Sequence, residues 1–426
     1  MVSLRLRSRT PLILIGLLLL LQVLEPWHVW LHLLLALGGL LAVSYYWARQ
    51  MRDQVTPRRE MSRGWLFVGD RLEEQFQLEN RSFLPLLWAE IVDHSTVPGY
   101  SANIVQVADG RSTRRWTTRG ICLQRGAFTL GPWEVRTGDP FGLFTVRLLV
   151  TETSPVMVYP PVVRVPPLPV PVGRASGRSR TLRRGIETTT DASGVRDYQP
   201  GDPVHRVHWR SVARQDRWMV KEFDLEPSGD LWIVLDLQES VQAGEGEEST
   251  LEYGVILAAS LLAHTLSENR AVGLMAFGQS FSFLMPARGP AQLWNGLRTL
   301  ATLQSGKLPL QDVLGKMQPN VRPGTTLAII TPSTSPAWLG EVARLQARGV
   351  TAAAILLEAG SFGGQGMTER DEMNGLRQAL ARLRIPNLII RQGHPFVPWL
   401  RPKRKRTVYR TLATGRVIAM EVSEEV

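Results

Sequence analysis

The chain has 426 residues, of which 44% are hydrophobic, and a formal net charge of +11. This length favours two or three domains with sizeable apolar cores. Cys122 is the only cysteine, which excludes an intramolecular disulfide and a cysteine-rich metal site. Much of the excess positive charge lies beside the apolar segments, in a linker and near the C-terminus, so we expect no specific nucleic-acid binding.

Two apolar runs predict a pair of transmembrane helices within residues 1–50. Pro11 to Leu24 is almost wholly apolar, Glu25-Pro26 interrupts it, and Trp27 to Trp47 is apolar again. The second run has the roughly 20 residues that span a bilayer, whereas the first needs flanking residues to do so. The short connection between the runs requires a helical hairpin.

The arginines around this hairpin predict its orientation. The hairpin is preceded by Arg5, Arg7 and Arg9 and followed by Arg49, Arg52, Arg58 and Arg59, with no Lys or Arg between the two runs. By the positive-inside rule, both termini and the main domains face the cytoplasm, with two spans in the inner or plasma membrane. A cleaved signal peptide is the alternative, but a small-residue cleavage site does not follow the first run.

Short strands and turn signals predict an antiparallel β-sandwich over residues 64–163. Apolar residues alternate strictly from Phe144 to Val150, and Pro98-Gly99 and Asp109-Gly110 are typical turns. Several short strands at this spacing are typical of a small sandwich. Residues 164–192 are then rich in proline and arginine, which predicts a linker.

Residues 193–229 are dense in arginine, aspartate and aromatic residues. Gln199 to Asp202 is a turn, because proline fixes φ and glycine permits a positive φ. Asp202 is then expected to cap a helix that runs from Pro203 to about Arg214.

On this helix, Arg206, Arg210 and Arg214 recur every four residues and form one stripe. The stripe has two interpretations. It forms an internal network of ion pairs with nearby carboxylates, or it docks an acidic partner or a phosphate-bearing ligand. Tyr198, Trp209 and Trp218 offer flat faces on which guanidinium groups stack.

GVRDYQPGD and HRVHWRSVARQDRWMVKEF, followed by an apolar strand that ends at Asp236, resemble the signature of the family known as domain of unknown function 58. The resemblance implies a membrane-anchored bacterial or archaeal protein with a von Willebrand factor A-like domain, often encoded beside a MoxR-type AAA+ ATPase. It implies no enzymatic activity. The signature residues in this chain are Arg196, Tyr198, Gly201, Asp202, Arg206, Trp209, Arg210 and Arg214.

Over residues 230–393, buried apolar strands alternate with amphipathic helices, which predicts a doubly wound α/β domain. The predicted strands are Leu231–Leu235, Val272–Phe277, Phe281–Met285, Leu327–Ile330, Ala352–Leu357 and Asn387–Ile390. The predicted helices are Leu251–Leu266, Ala291–Leu303, Pro336–Ala347 and Gly375–Leu383. Ligands of such domains bind beyond the C-terminal ends of the strands.

Asp236 lies at the end of the first of these strands, where the resemblance to von Willebrand A domains implies a D-x-S-x-S metal site. Here Gln238 replaces the first hydroxyl and only Ser240 survives. The strand that ends at Ile330 leads into Thr331 and supplies no second carboxylate. We therefore predict a degenerate site at Asp236 and Ser240 without a bound metal or cofactor.

The C-terminal tail, residues 394–426, carries the basic cluster Arg401 to Arg406, which is expected to be solvated or to meet an anionic membrane surface. Taken together, the segments predict a membrane-anchored, non-enzymatic adaptor. Its expected partners are the lipid bilayer and a MoxR-type AAA+ ATPase.

The alternative is a metal-assisted hydrolase, or a metal-dependent ligand-binding domain, centred on Asp236. Glu239 would supply a further oxygen ligand. His205 and His208, three residues apart on the expected signature helix, would face the same ion.

Overall fold

The computed structural model describes residues 2–60, 65–164, 194–198, 207–215, 217–222, 229–363, 368–399, 404–411 and 417–424. The chain divides into two compact units, Met1–Pro161 with Pro402–Val426, and Val162–Arg401. Apart from Arg164, the predicted linker lies outside the described residues.

The first unit contains two apolar helices, α1 (Thr10–Leu24) and α2 (His28–Gln54), which contact each other. The outer surface of both helices consists of exposed, large apolar side chains such as Ile13, Val23 and Leu35. By length and composition α2 is able to cross a membrane, whereas α1 is shorter. α2 continues beyond the predicted end at Trp47 as far as Gln54.

The β-sandwich of this unit consists of β1 (Val2–Leu6), β2 (Val55–Glu60), β3 (Trp65–Phe67), β4 (Arg71–Asn80), β5 (Leu86–Asp93), β6 (Ile104–Ala108), β7 (Ser112–Ile121), β8 (Gly126–Leu130), β9 (Trp133–Gly138), β10 (Phe144–Val150) and β11 (Ser154–Tyr159). The sheets are ordered β1-β10-β9-β5-β6, β2-β4-β7 and β3-β11-β8. Neighbouring strands are antiparallel except β3 and β11. The predicted range of 64–163 was too narrow, because β1 and β2 also belong to these sheets.

One apolar core lies among the three sheets and includes the end of α2. Ala48 and Met51 of α2 and Val55 of β2 are buried in it beside Phe76 of β4. The first residue after the helix is already the first residue of β2. The helix and the sandwich are therefore joined through packing as well as through the chain.

A cluster of charges is buried in the same sandwich. Strand β4 alternates between buried and more exposed residues, which turns Glu74 inward. Arg59 of β2 donates from Nε to Glu74 Oε1 (3.2 Å) and from Nη1 to Asp93 Oδ1 (2.8 Å). All three side chains are almost completely buried. Pairing is what makes the burial of these charges tolerable.

The second unit contains strands β12 (Val163–Arg164), β13 (Gly194–Asp197), β14 (Met219–Glu222), β15 (Leu231–Leu235), β16 (Gly244–Glu245), β17 (Glu248–Ser249), β18 (Val272–Phe277), β19 (Phe281–Ala287), β20 (Thr326–Thr331), β21 (Thr351–Leu357), β22 (Asn387–Ile390) and β23 (Val397–Pro398). Its helices are α3 (Trp209–Gln215), α4 (Thr250–Ser267), α5 (Pro290–Thr302), α6 (Leu310–Met317), α7 (Leu339–Ala347) and α8 (Thr368–Arg382).

The central sheet has the order β19-β18-β15-β20-β21-β22 and is parallel except for the edge strand β19. This order confirms the predicted doubly wound α/β domain. Trp232 and Val234 of β15 share one core with α6, α7 and α8. On α4, Gly254 lacks a side chain where a Cβ would lie 3.0 Å from Leu235 Cδ1, which permits close packing of helix and sheet. Although α4 is apolar enough to resemble a membrane span, most of it is buried in this domain.

Residues 404–424, which the sequence analysis treats as a charged tail, include two strands. β24 (Arg404–Thr411) and β25 (Val417–Glu424) form an antiparallel pair. Farther upstream, β23 pairs with β12 in the second unit. The alternation of charged residues with Thr, Val and Tyr in β24 is compatible with a strand, and the charge density obscured it.

Candidate functional site

The signature segment is organised around a short β-ladder. β13 and β14 are antiparallel, with Gly194 opposite Glu222 and Asp197 opposite Met219. Helix α3 lies between them in the chain, and β15 of the central sheet follows. The segment is therefore an antiparallel pair of strands whose connection contains helix α3. It immediately precedes the first strand of the doubly wound sheet.

Helix α3 begins at Trp209, and Val207 and His208 before it are not helical, so the prediction of one continuous helix from Pro203 to about Arg214 was wrong. Val207 forms an antiparallel bridge with Val220, and the backbone N–H of His208 donates to the Met219 carbonyl at 2.8 Å. Pairing with β14 thus takes precedence over the local helical pattern. Gly201, Asp202 and Arg206 lie outside the described residues, so the cap and the first arginine of the stripe stay predictions.

Tyr198, Trp209 and Trp218 form an aromatic cluster on this unit. The ring centroids of Tyr198 and Trp218 are 5.8 Å apart, and those of Trp209 and Trp218 are 5.9 Å apart. The backbone N–H of Tyr198 also donates to the Trp218 carbonyl at 2.8 Å. Trp209 and Trp218 remain 58% and 54% exposed. Two indole rings in contact therefore present one apolar patch to the surroundings.

Three exposed arginines lie beside this cluster in the chain. Arg210 and Arg214 are one helical turn apart on α3, and Arg217 immediately precedes Trp218. All three arginines are exposed, and the two interpretations of the stripe, an internal ion-pair network and a docking surface, both stay predictions. Arg196 is opposite Val220 in the ladder, and only its backbone is described. Sequence reasoning did not select Arg217 because it lies outside the four-residue repeat.

Of the two histidines in the alternative metal site, the structure describes only His208. His208 Nδ1 lies 2.7 Å from the Ser211 hydroxyl, which attaches the ring to the start of α3. His205 lies outside the described residues. In the described ranges, no group of three or more His, Cys, Asp or Glu side chains has an arrangement that could hold a metal ion.

Asp236 lies at the C-terminal edge of the central sheet, as the end of β15 predicts. The residue is only 2% exposed. The Thr331 hydroxyl at the end of β20 donates to Oδ2 at 2.6 Å, and the Gln238 backbone N–H donates to Oδ1 at 3.1 Å. The Thr331 hydroxyl in turn accepts from the Ser333 N–H at 2.9 Å. The carboxylate thereby links the ends of the two central strands.

Burial raises the pKa of Asp236, and the hydrogen bonds from Thr331 and Gln238 oppose that rise. The Gln238 amide donates to the Ser240 hydroxyl at 2.7 Å, so these two groups of the degenerate motif bind each other. Glu239 is exposed at the start of a short 3-10 helix. A hard divalent cation requires several oxygen ligands. Asp236 is a single carboxylate, and both of its oxygens already accept hydrogen bonds, so it does not supply the ligand set that such a cation requires. Its contacts fit a structural role as a hydrogen-bond acceptor.

Part of the chain is similar to known proteins. Residues 194–348 match the model of a family described as "Protein of unknown function DUF58". Uncharacterized protein YeaD of Bacillus subtilis (strain 168) is 26% identical over 250 residues, which are 57% of this chain and 61% of that protein. An uncharacterized protein of Mycobacterium tuberculosis (strain ATCC 25618 / H37Rv) is 28% identical over 107 residues, 25% of this chain and 34% of that protein. The matches thus span less than two thirds of either relative.

Two solved structures of von Willebrand A domains are similar to parts of the chain. The SpRpn10 VWA domain is 11% identical with a TM-score of 0.27, over 39% of this chain and 89% of that chain. A von Willebrand factor type A protein from Catenulispora acidiphila is 13% identical with a TM-score of 0.26, over 41% of this chain and 40% of that chain.

Proposed function

Residues 194–348 match the DUF58 family model, and we propose that the chain is a membrane-anchored, non-enzymatic adaptor whose signature segment docks a partner protein. The observation that carries this proposal is the exposed contact between Trp209 and Trp218. Tryptophan and arginine are enriched among the residues that dominate binding energy at protein interfaces, and both types occur here together. A partner that covers the two indoles would remove a large apolar surface from water.

The docking surface consists of Trp209, Arg210, Arg214, Arg217 and Trp218. It fits a partner with acidic side chains around an apolar pocket, because the planar guanidinium group pairs with carboxylates through two parallel hydrogen bonds. Among proteins with such a face, a MoxR-type AAA+ ATPase is the partner that the family resemblance implies. We propose it as the first candidate to test.

Membrane anchorage is the second part of the proposal, and the helical hairpin supports it. The exposed apolar faces of α1 and α2 are unfavourable in water and favourable in lipid. β1 precedes α1 and pairs with β10, while α2 leads directly into β2. Both ends of the hairpin therefore join one sandwich, which requires both to lie on the same side of a bilayer. The flanking arginines favour the cytoplasmic side.

The test is crosslinking followed by mass spectrometry on native membranes. We would compare the parent chain with a variant that carries Trp209→Ala and Trp218→Ala, and with a second variant that carries Arg206→Ala, Arg210→Ala and Arg214→Ala. The control is Phe281→Ala, which removes a 47% exposed ring from the edge strand β19.

We expect a crosslinked partner to be lost from both signature variants and kept in the control, with circular dichroism spectra unchanged. Retention of the same partner by the tryptophan variant would contradict the proposed docking surface. Extraction of the parent chain by alkaline carbonate would separately contradict membrane anchorage.

A further inference from the structure

Two phenylalanine side chains are exposed at one end of the sandwich. Phe83 and Phe141 are 57% and 55% exposed. Phe83 lies in the turn from β4 to β5, and Phe141 lies in the turn from β9 to β10. Both turns lie at the end of the sandwich that is joined to the helical hairpin. The β4–β5 turn lies there because Asn80, the last residue of β4, is opposite Val55, the first residue of β2. The β9–β10 turn lies there because β10 begins opposite the last residue of β1. Single exposed apolar residues are ordinary, but two on neighbouring turns beside an apolar hairpin form a common surface.

The Phe83 turn lies against α2. The ring of Tyr46 on that helix is 6.5 Å from the ring of Phe83, centroid to centroid. Val43, just under one helical turn earlier, is exposed on the apolar part of the helix. Since a helix rises about 1.5 Å per residue, Phe83 lies within about one turn of the surface that faces lipid in the proposed orientation.

The Phe141 turn lies against the start of α1. The backbone N–H of Arg7 donates to the Leu143 carbonyl at 2.8 Å, and α1 begins at Thr10, three residues farther along the chain. The ring of Tyr45 on α2 is 5.7 Å from the ring of Phe144, the first residue after this turn. Both turns therefore flank the hairpin where it leaves the sandwich.

The surrounding side chains match the headgroup layer of a membrane. Tyr45 and Tyr46 are exposed on α2, and tyrosine is enriched where a span meets the headgroups. Arg7 and Arg9 are exposed beside the Phe141 turn, and Arg49 is exposed beyond the tyrosines. Exposed aromatic rings with interspersed arginines suit a membrane surface, because the rings enter the apolar acyl-chain boundary and the arginines contact the anionic headgroups.

We propose that this end of the sandwich is a membrane rim, in which Phe83 and Phe141 insert into the lipid interface and the adjacent arginines contact anionic headgroups. The proposal rests on the proposed membrane anchorage and adds to it that the sandwich itself binds lipid. The hairpin then acts together with the two turns, and the sandwich stands upright on the membrane. Its opposite end, with the β10–β11 turn, points away from the bilayer.

The experiment measures the depth of single labelled positions in the full-length protein. The chain is reconstituted into vesicles of phosphatidylcholine and phosphatidylglycerol, and an environment-sensitive fluorophore is attached at Phe83→Cys, at Phe141→Cys or at Glu152→Cys. Glu152 is exposed just after the far end of β10, so it lies about 20 Å from the rim at about 3.4 Å per strand residue. Cys122 is fully buried, and the unsubstituted chain measures its background labelling.

We expect the labels at positions 83 and 141 to show blue-shifted emission and strong quenching by lipids that carry a nitroxide near the headgroup. The label at position 152 should behave as it does in water. Removal of phosphatidylglycerol should reduce the quenching at the rim, because the arginine contacts are lost. Equal quenching at all three positions would overturn the membrane rim.

Carbonate extraction of the same vesicles separates the two proposals. A protein that resists extraction but shows no quenching at the rim keeps the hairpin anchor and loses the rim. A protein that is extracted, yet is quenched at positions 83 and 141 before extraction, keeps the rim as a peripheral contact and loses the anchor.

Discussion

Arginine occupies two opposite settings in this molecule. Arg59 is buried in the sandwich and pairs with Glu74 and Asp93. Arg210 and Arg214 lie exposed on α3 beside an exposed pair of tryptophans. A buried guanidinium group must be neutralised by the fold itself, whereas an exposed one keeps its donors available to another molecule. The first setting stabilises the fold, and the second is the one that we propose for recognition.

The largest effect should come from Arg59→Met. This change leaves two carboxylates in a buried site without their counter-charge, which costs about 3–5 kcal/mol. For a domain of this size we expect a fall in Tm of more than about 10 °C, measured by thermal unfolding of the full chain in detergent.

The matched control for Arg59 is Arg119→Met on β7. Arg119 pairs with Glu73 on the surface, and such a pair contributes about 1 kcal/mol or less. Replacing Arg59, Glu74 and Asp93 together with apolar residues should recover much of the lost stability. Equal losses in the Arg59 and Arg119 variants would remove the distinction between the two settings.

Trp209→Ala together with Trp218→Ala should have the next largest effect, on binding. Hot-spot tryptophans contribute about 2 kcal/mol or more, so affinity for the partner identified by crosslinking should fall at least about 30-fold. Titration of purified partner onto the reconstituted chain measures this change. An unchanged affinity, with the fold intact, would show that the aromatic cluster serves only to hold β13 against β14.

Asp236→Asn tests a third setting, a buried carboxylate that has no counter-charge among the residues that the structure describes. Because burial raises the pKa of Asp236, the folded protein holds this proton more tightly than the unfolded chain does. The resulting stability is present below the ordinary pKa of aspartate and is lost as the pH rises through the raised pKa. The stability of the asparagine variant relative to the parent should therefore rise as the pH increases through the raised pKa of Asp236, and this relative gain should be lost as the pH falls again.

Thermal unfolding at several pH values measures this difference, with the exposed Asp371→Asn as control. The proposed structural role has a clear counter-result. If Mg²⁺ raised the Tm of the parent and not of the Asp236 variant, the carboxylate would be a cation ligand, and the metal-dependent alternative would return.

The smallest effect on stability should come from Arg210→Ala with Arg214→Ala. Exposed positions usually change the free energy of unfolding by no more than about 0.5 kcal/mol. Association with an acidic partner should nevertheless become slower and less sensitive to salt, as measured by stopped-flow mixing at two ionic strengths. A large loss of stability would instead mean that these residues belong to an internal network, like Arg59.

The α/β domain was predicted well because its strands are continuous apolar runs. Leu231–Leu235 is buried throughout and is followed by an amphipathic pattern, so type and bounds were both readable. α6 was missed because it is only eight residues long, although its buried residues Leu310, Val313, Leu314 and Met317 recur at helical spacing. β1 was missed for another reason. Its partner, β10, lies far away in the sequence, and a strand of five residues is specified by that pairing more than by its own composition.

The candidate sites were predictable in position and not in contacts. The end of β15 located Asp236, but nothing in the sequence indicated that Thr331 would donate to it across the sheet. The arginine repeat located α3, but the pairing of Val207 with Val220 shortened the helix. The contact between Trp209 and Trp218 depends on that same pairing, so it could not be found from spacing alone.

The pairing of β1 with β10 is able to form only late in the synthesis of the first unit. β1 is made first, and its partner, Phe144–Val150, leaves the ribosome only after both helices have been synthesised. A hairpin inserted with its N-terminus across the bilayer would separate β1 from the sandwich and leave β10 as an open sheet edge, which invites aggregation and degradation. In the proposed membrane orientation, this five-residue strand is able to pair only in chains whose hairpin has inserted with both ends on the side of the sandwich.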